Sequence, residues 1–407
     1  MRITPIKIED KAQAKKLLLK LNISKEALDI LIPKAMNLFF MIDGIRSYEA
    51  NIIKQHLLSL GADAAIDRDA ILKDKKLNIS IFANLNQIKK LCEKLKDQPF
   101  RNLKEIKDKL SEYIDNYYKK DFVFKANNKI LNININKPVI CGIINITSDS
   151  FLGDGLLSIS KDTLAIKDLA LKKVEYMLKS EAKIIDLGGE SSRPFSSPIS
   201  EEEEIKRVIP VLRAIRKEFK DLLISIDTYK YKVAKAAVSE GVDIINDITG
   251  LKDKRIISLI DKHKLGCIIM HMKGTPKTMQ IKPFYKDVIG EIFDFMRERL
   301  KLCYENNISK EQILIDPGIG FGKSLEDNLR IIKELYRFKV FGVPVFIGLS
   351  RKSFIGKILN LEVKDRLLGT IVYETIALLN GANVLRVHDV KETNQLVKLF
   401  FKYNSLL

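Results

Sequence analysis

The sequence predicts an α/β chain: a (β/α)8 TIM barrel with an N-terminal β-hairpin, preceded by a small α/β or α+β domain. Three observations carry this. Eight short apolar runs alternate with amphipathic stretches between Val139 and the C-terminus. The length of 407 residues leaves room for a barrel of about 250 residues and a second domain. Polar residues gather at the ends of the apolar runs, where this fold keeps its active site.

The runs are VICGIIN (139–145), KIIDL (183–187), LLISID (222–227), DIIND (243–247), CIIMH (267–271), ILID (313–316), VFIGL (345–349) and VLRV (384–387). Continuous Val/Ile/Leu segments of this length are the pattern of strands buried on both faces of a parallel sheet. Eight strand–helix units close more naturally into a barrel than into an open sheet. The intervening helices carry their own start signals. In SEEEEIKRVIPVLRAIRKEF, Ser200 is an N-cap, Glu203 completes a capping box and further glutamates favour the positive helix end.

The domain boundary is read near residue 120. A Lys-rich helical stretch, NLKEIKDKLSEYIDNYYKK, ends there, and FVFKANNKILNI follows as a hairpin turning at Asn127-Asn128. Residues 1–120 form the first domain and 121–407 the barrel. The first domain shows helices at KAQAKKLLLKL, SYEANIIKQHLLSLG, NQIKKLCEKLK and NLKEIKDKLSEYI, and strands at NLFFMID and LNISIFA. It contains no phosphate loop, metal cluster or pyrophosphokinase signature, and is read as a docking or oligomerisation module, with a second ligand site as the alternative.

Composition excludes several function classes. No apolar run reaches about 18 residues, so no membrane span is expected. The N-terminus lacks a signal-peptide core, which points to a cytoplasmic protein. Cys92, Cys141, Cys267 and Cys303 form no C-x-x-C pair, and Cys141 and Cys267 sit in apolar runs as small core residues. The net charge is +18, but the first 120 residues hold 24 basic and 16 acidic side chains, so the excess is spread along the chain. With no basic tail and no Trp, no nucleic-acid partner is expected.

Every predicted strand ends in a chemically able group: Asn145, Asp186, Asp227, Asn246, His271, Asp316, Arg351-Lys352 and Arg386-His388. The loops they open read NITSDSFLGDG (145–155), DLGGESSRPFSSPIS (186–200), SIDTYK (225–230), INDITG (245–250), MHMKGTPKTMQ (270–280), DPGIGFGKS (316–324), GLSRKSFIG (348–356) and RVHDV (386–390). In that order and spacing, from about Phe122 to the C-terminus, the sequence resembles the dihydropteroate synthases. The resemblance implies a transferase of folate biosynthesis. It joins 6-hydroxymethyl-7,8-dihydropterin pyrophosphate to p-aminobenzoate, with Mg²⁺ as cofactor and a homodimer as the expected assembly.

It also implies three subsites. For the pterin it implies Asp227, Asn246, Asp316, Lys352, Phe321 and Gly348; an ionised Asp is acceptor-only and suits the ring N–H and amino donors. Such a carboxylate must be satisfied by ligand or by Lys352, and a purely structural Asp–Lys pair is the competing reading. For the pyrophosphate it implies Arg386, His388, Arg193 and Asn145, with Asn145 also the metal ligand. His388 as a core histidine is the alternative. For p-aminobenzoate it implies Phe151, Ser192, Pro194 and Ser353, the last at a helix start able to meet a carboxylate. Asp227, Lys352 and Asn145 are the implied catalytic residues, in a dissociative, SN1-like displacement in which Asp227 stabilises positive charge at the methylene.

Three departures from the family pattern stand out: Ser192 replaces a usual Thr, Ser148 a common Pro, and Asp154 falls one residue late. PGIGFGKS (317–324) nearly spells a phosphate loop, but Pro317 takes the place of the first required Gly, so ATP binding is rejected. The runner-up families are pterin-dependent corrinoid methyltransferases and a non-catalytic pterin-binding barrel. The methyltransferases do not need pyrophosphate cations, and RVHDV, GGESSRP and SRKS favour the synthase; a non-catalytic copy would be free to lose charges that are costly to bury.

Overall fold

A computed structural model describes residues 6, 8, 10–21, 24–72, 74–147, 155–160, 162–191 and 196–405. The chain divides into two compact units, Met1–Tyr118 and Lys119–Leu406.

In the first unit, β1 (Asn37–Arg46), β2 (Asp63–Ala65) and β3 (Lys76–Asn84) form an antiparallel sheet of order β1-β3-β2. Helices Lys11–Leu19, Lys25–Ala35, Ser47–Ser59, Leu85–Lys96 and Arg101–Tyr117 accompany it. The antiparallel pairing decides for α+β. Helix Lys25–Ala35 and strand β2 lie outside the segments read from sequence; the first contains Pro33, a residue that argues against a helix interior. One sheet face is apolar and buried through Leu38, Leu77, Ile79, Ile81 and Ala83. The alternate positions Phe39, Met41 and Phe82 are exposed, as the period of two dictates.

In the second unit, β4 (Asp121–Ala126) and β5 (Lys129–Asn134) pair antiparallel, turning at Asn127, whose φ is 57°. Eight parallel strands follow: β6 (Val139–Asn145), β7 (Ile184–Gly188), β8 (Leu223–Asp227), β9 (Ile244–Asp247), β10 (Gly266–Met270), β11 (Ile313–Asp316), β12 (Phe346–Gly348) and β13 (Val384–Val387). They pair in sequence order, β13 returns to β6, and a parallel bridge between Ile315 and Val345 joins β11 to the β12 segment. The sheet thus closes as the eight apolar runs predict.

The hairpin plugs the end of the barrel where the strands begin. Phe122, Phe124, Ala126 and Ile133 form one buried cluster with the first residues of the strands, among them Val139, Ile184, Ile244 and Val384. Gly266 makes room for it: a Cβ there would meet Phe124 Cζ at 2.5 Å. Ser200 caps helix Glu201–Glu218 as expected, accepting from the Glu203 amide, but the Glu203 carboxylate turns to Arg207 at 2.8 Å instead of completing a capping box. All four cysteines are free and buried. No helix among the described residues is long and apolar enough to cross a membrane.

Candidate active site

With one end plugged, chemistry is left to the end where the strands finish. One pocket there is lined by Asn145, Asp227, Asn246, Asp316, Phe321, Gly348, Lys352, Ser353, Arg386 and His388. Ten residues expected from the sequence, contributed by six strands and the loops that follow them, therefore meet in one place. Phe151, Ser192, Arg193 and Pro194, with Ser148 and Asp154, lie outside the described residues.

The centre of the site is Arg386 on β13. Its Nε donates to Asp186 Oδ2 at 2.6 Å and its Nη2 to Asp227 Oδ2 at 2.7 Å. Asn246 Nδ2 donates to the same Asp186 oxygen at 3.1 Å, and Asp186 Oδ1 is buried with no partner. Asp186 is fully buried and takes no part in the pocket lining. Its work is to orient Arg386 and Asn246. Burial pushes the Asp227 carboxyl up to about 7, with Arg386 opposing and Asp186 adding to the shift. Burial also works against the charge on Arg386, but the two carboxylates outweigh it and raise its basicity.

Lys352 behaves differently from its expectation. Among the described residues it forms no ion pair with a carboxylate; its amine donates to the Ile319 carbonyl and lies 4.9 Å from the centre of the Phe321 ring. The cation that satisfies Asp227 is Arg386. Neither satisfaction by Lys352 nor a structural Asp–Lys pair is what the protein builds. Burial brings the Lys352 amine down to about 8, against the pull of Asp316. Asp316 accepts from the Gly318 amide at 2.7 Å, and its carboxyl is raised by burial against Lys352.

Three other strand-end groups are sorted by their surroundings. His388 lines the pocket with Nδ1 3.1 Å from Ser350 Oγ, so it is not a core histidine. His271 turns away: Nδ1 is 3.0 Å from Lys323 Nζ, the ring packs edge-on against Phe295, and burial first, then Lys323, lowers its basicity to about 2. Arg351 also leaves the pocket. It forks onto Asp389 with two bonds of 2.8 Å and donates to the Val363 and Lys364 carbonyls, which makes it a brace for the following loop.

Sequence reasoning missed part of the apolar wall. Ile248, Met270 and Met279 line the pocket and, with Met272, form a small cluster against which Tyr229 and Phe321 pack. Three methionines in the eleven residues 270–280 were the available signal, since Met fills irregular gaps beside ligands. Glu190 was missed too. It lines the pocket while accepting from Tyr229 Oη at 2.9 Å and Lys230 Nζ at 2.5 Å.

The arrangement sets carboxylate and amide groups, two buried cations and an apolar wall around one pocket. Comparison with known proteins agrees with it. Residues 141–388 match the family of pterin binding enzymes. The dihydropteroate synthase of Haemophilus influenzae is 42% identical over 276 residues, 68% of this chain and 96% of that protein. The bifunctional dihydropteroate synthase/dihydropteroate reductase of Helicobacter pylori is 33% identical over 389 residues, 95% of each chain. The crystal structure of Yersinia pestis dihydropteroate synthase with a sulfonamide drug complex superposes with a TM-score of 0.65 at 36% identity, covering 70% of this chain and all of that one. An accidental likeness cannot reproduce both the closed barrel and the collinear strand-end residues, and the chain belongs to the dihydropteroate synthase family of pterin-binding enzymes.

Proposed function

We propose that the strand-end pocket is where this dihydropteroate synthase joins 6-hydroxymethyl-7,8-dihydropterin pyrophosphate to p-aminobenzoate, releasing pyrophosphate. The observation that carries the assignment is the bracket of Arg386 between Asp186 and Asp227, beside Asn246 and Asp316. Ionised Asp227 and Asp316 accept from the pterin ring, Asn246 reads its amide edge, and Phe321, Ile248 and Met270 cover its faces. Arg386, whose Nη1 makes no hydrogen bond among the described residues, and His388 meet the pyrophosphate. Ser353, Ser192, Phe151 and Pro194 receive p-aminobenzoate, and Arg193 adds a further cation. Asp227 also stabilises positive charge at the methylene as the C–O bond breaks, before the amine attacks.

The donor set fits Mg²⁺. Among the described residues, the Asn145 amide lining the pocket makes no hydrogen bond and no cluster of three His, Cys, Asp or Glu could hold a metal alone. One neutral oxygen suits an ion that keeps several waters and borrows substrate phosphates. When bound, Mg²⁺ neutralises charge on the departing pyrophosphate. Purified protein should release pyrophosphate only with both substrates and Mg²⁺ present. Release without p-aminobenzoate, or none at all, would sink the reading.

A homodimer is supported by helix Leu367–Leu379, where Leu368, Val372, Ile376 and Leu379 form one exposed apolar stripe, with Leu368 76% exposed. Sedimentation should give a dimer that Leu368→Arg with Ile376→Arg makes monomeric. Free buried cysteines suit the reducing cytoplasm, where we place the enzyme.

A second reading concerns the first unit. The Haemophilus relative covers 68% of this chain and the bifunctional Helicobacter relative 95%, so the longer match takes in most of Met1–Tyr118. We extend the second activity named for that relative, dihydropteroate reduction, to this chain. It consumes the product of the barrel and needs a two-electron donor. The full chain given dihydropteroate and a reduced nicotinamide or flavin nucleotide should oxidise the donor; a donor left intact in both cases refutes it.

A further inference from the structure

The loop after β11 is held in an unusual way. Four successive carbonyls each accept from a different side chain, two of them from the loop after β10, one from the loop after β12 and one from the loop itself. Lys352 donates to Ile319 O, Gln280 to Gly320 O at 2.7 Å, Lys323 to Phe321 O at 3.0 Å and Tyr285 to Gly322 O at 2.8 Å. The glycines bring the loop against the β10 end: a Cβ on Gly318 would meet His271 O at 2.0 Å, and one on Gly322 would meet Lys273 O at 2.2 Å.

Lys323 is the buried member of this set, 2% exposed. Besides Phe321 O, its amine faces His271 Nδ1 at 3.0 Å and His271 O at 3.2 Å. An ammonium has three donors, and three acceptors meet them. Burial brings the amine down to about 7 against the pull of Asp316, and neutral His271 accepts at Nδ1. This is the lysine of the near-phosphate-loop PGIGFGKS, and it points into the protein. The residue it fixes, Phe321, lines the pocket and carries the Lys352 amine over its ring.

We propose that Lys323 is a positioning residue for the pterin subsite: through Phe321 O and His271 it locks the Gly318–Gly322 loop so that Phe321 and Lys352 stand ready for the pterin. The inference rests on the pterin assignment above. A merely structural lysine would affect both substrates alike, whereas this role weakens the pterin side alone.

The test is calorimetric titration of the full chain with dihydropterin pyrophosphate and Mg²⁺, together with KM for each substrate. Lys323→Met should weaken pterin binding by up to about 10²-fold, while KM for p-aminobenzoate stays within about threefold. His271→Leu should act in the same direction. His271→Asn, whose amide oxygen can replace Nδ1 as acceptor, should restore most of the affinity. Wild-type pterin affinity in folded Lys323→Met, or a parallel rise in both KM values, overturns the proposal. If Lys323→Met does not fold, the His271 pair decides: equal affinity in His271→Leu and His271→Asn overturns it. Unaltered pterin affinity in Asp227→Asn shows instead that the subsite itself is misassigned, and both readings fall.

Discussion

Two buried clusters of aspartate and arginine occupy opposite ends of the same barrel, and they are built to different standards. At the plugged end, Asp243 Oδ2 accepts from Arg216 Nη2 at 2.5 Å, Lys129 Nζ at 3.1 Å and the Ile224 amide at 2.9 Å. Arg216 spends its remaining donors on the carbonyls of Phe219, Lys220, Leu222 and Gly241. At the open end, Arg386 serves two carboxylates and has donor capacity left over, and Asp227 is pushed up to about 7. Each cluster leaves one buried aspartate oxygen, Asp243 Oδ1 and Asp186 Oδ1, without a partner, so the difference lies in the arginines. Arg216 is tied to four backbone carbonyls as well as its carboxylate, whereas Arg386 keeps donor capacity facing a pocket, and that spare capacity marks function.

Substitutions can break this comparison. The largest effect is expected from Arg386→Gln, which removes the cation at the open end: kcat/KM should fall by about 10³-fold or more, on the scale of losing a pre-aligned charge stabiliser. A fall of less than tenfold, measured by pyrophosphate release, would put the site elsewhere. Arg216→Met should do the reverse. It leaves Asp243 poorly compensated and should lower stability by about 3–5 kcal/mol in chemical denaturation, while the folded fraction keeps kcat/KM within about threefold of the parent. Gly266→Ala, driving a methyl into Phe124, should cost about 1–3 kcal/mol with no change in catalysis. A loss of activity larger than the loss of folded protein would show that the plug speaks to the site.

The smallest effect is the pH dependence. Asp227 must ionise to accept from the pterin, and Lys352 must stay protonated. Affinity for 6-hydroxymethyl-7,8-dihydropterin, which has no phosphate to titrate, should rise about tenfold per pH unit below about 7. It should decline above about 8 as Lys352 loses its proton. Asp227→Asn should erase the lower limb, and a flat profile in the parent enzyme would contradict the assignment. The sign for stability is opposite. Because the native carboxyl holds its proton above the ordinary value of 3.8, the ligand-free protein loses this contribution as pH rises from about 4 to 7.

Much of this was legible in the chain. The eight barrel strands match the eight apolar runs to within a residue or two at each end, because burial on both faces demands unbroken apolar sequence. The hairpin turn at Asn127 followed from a residue type whose short polar side chain tolerates a positive φ. The strand-end polar groups gave the address of the site, because the fold places its chemistry there. What escaped was decided by neighbours distant in sequence. Asp227 and Arg386 are 159 residues apart and Asp186 and Arg386 are 200 apart, and no local pattern says which of Arg351, Lys352 and Arg386 will answer an aspartate.

The sequence alone settled the barrel, its N-terminal hairpin and the family, since apolar period, turn chemistry and collinear motifs are local properties. Only the tertiary structure decided that Arg386 and not Lys352 pairs with Asp227, that His271 faces Lys323, and that Arg351 braces a loop. A charged side chain is drawn to whichever partner the closed sheet brings within hydrogen-bond reach, and that partner exists only once the barrel has closed.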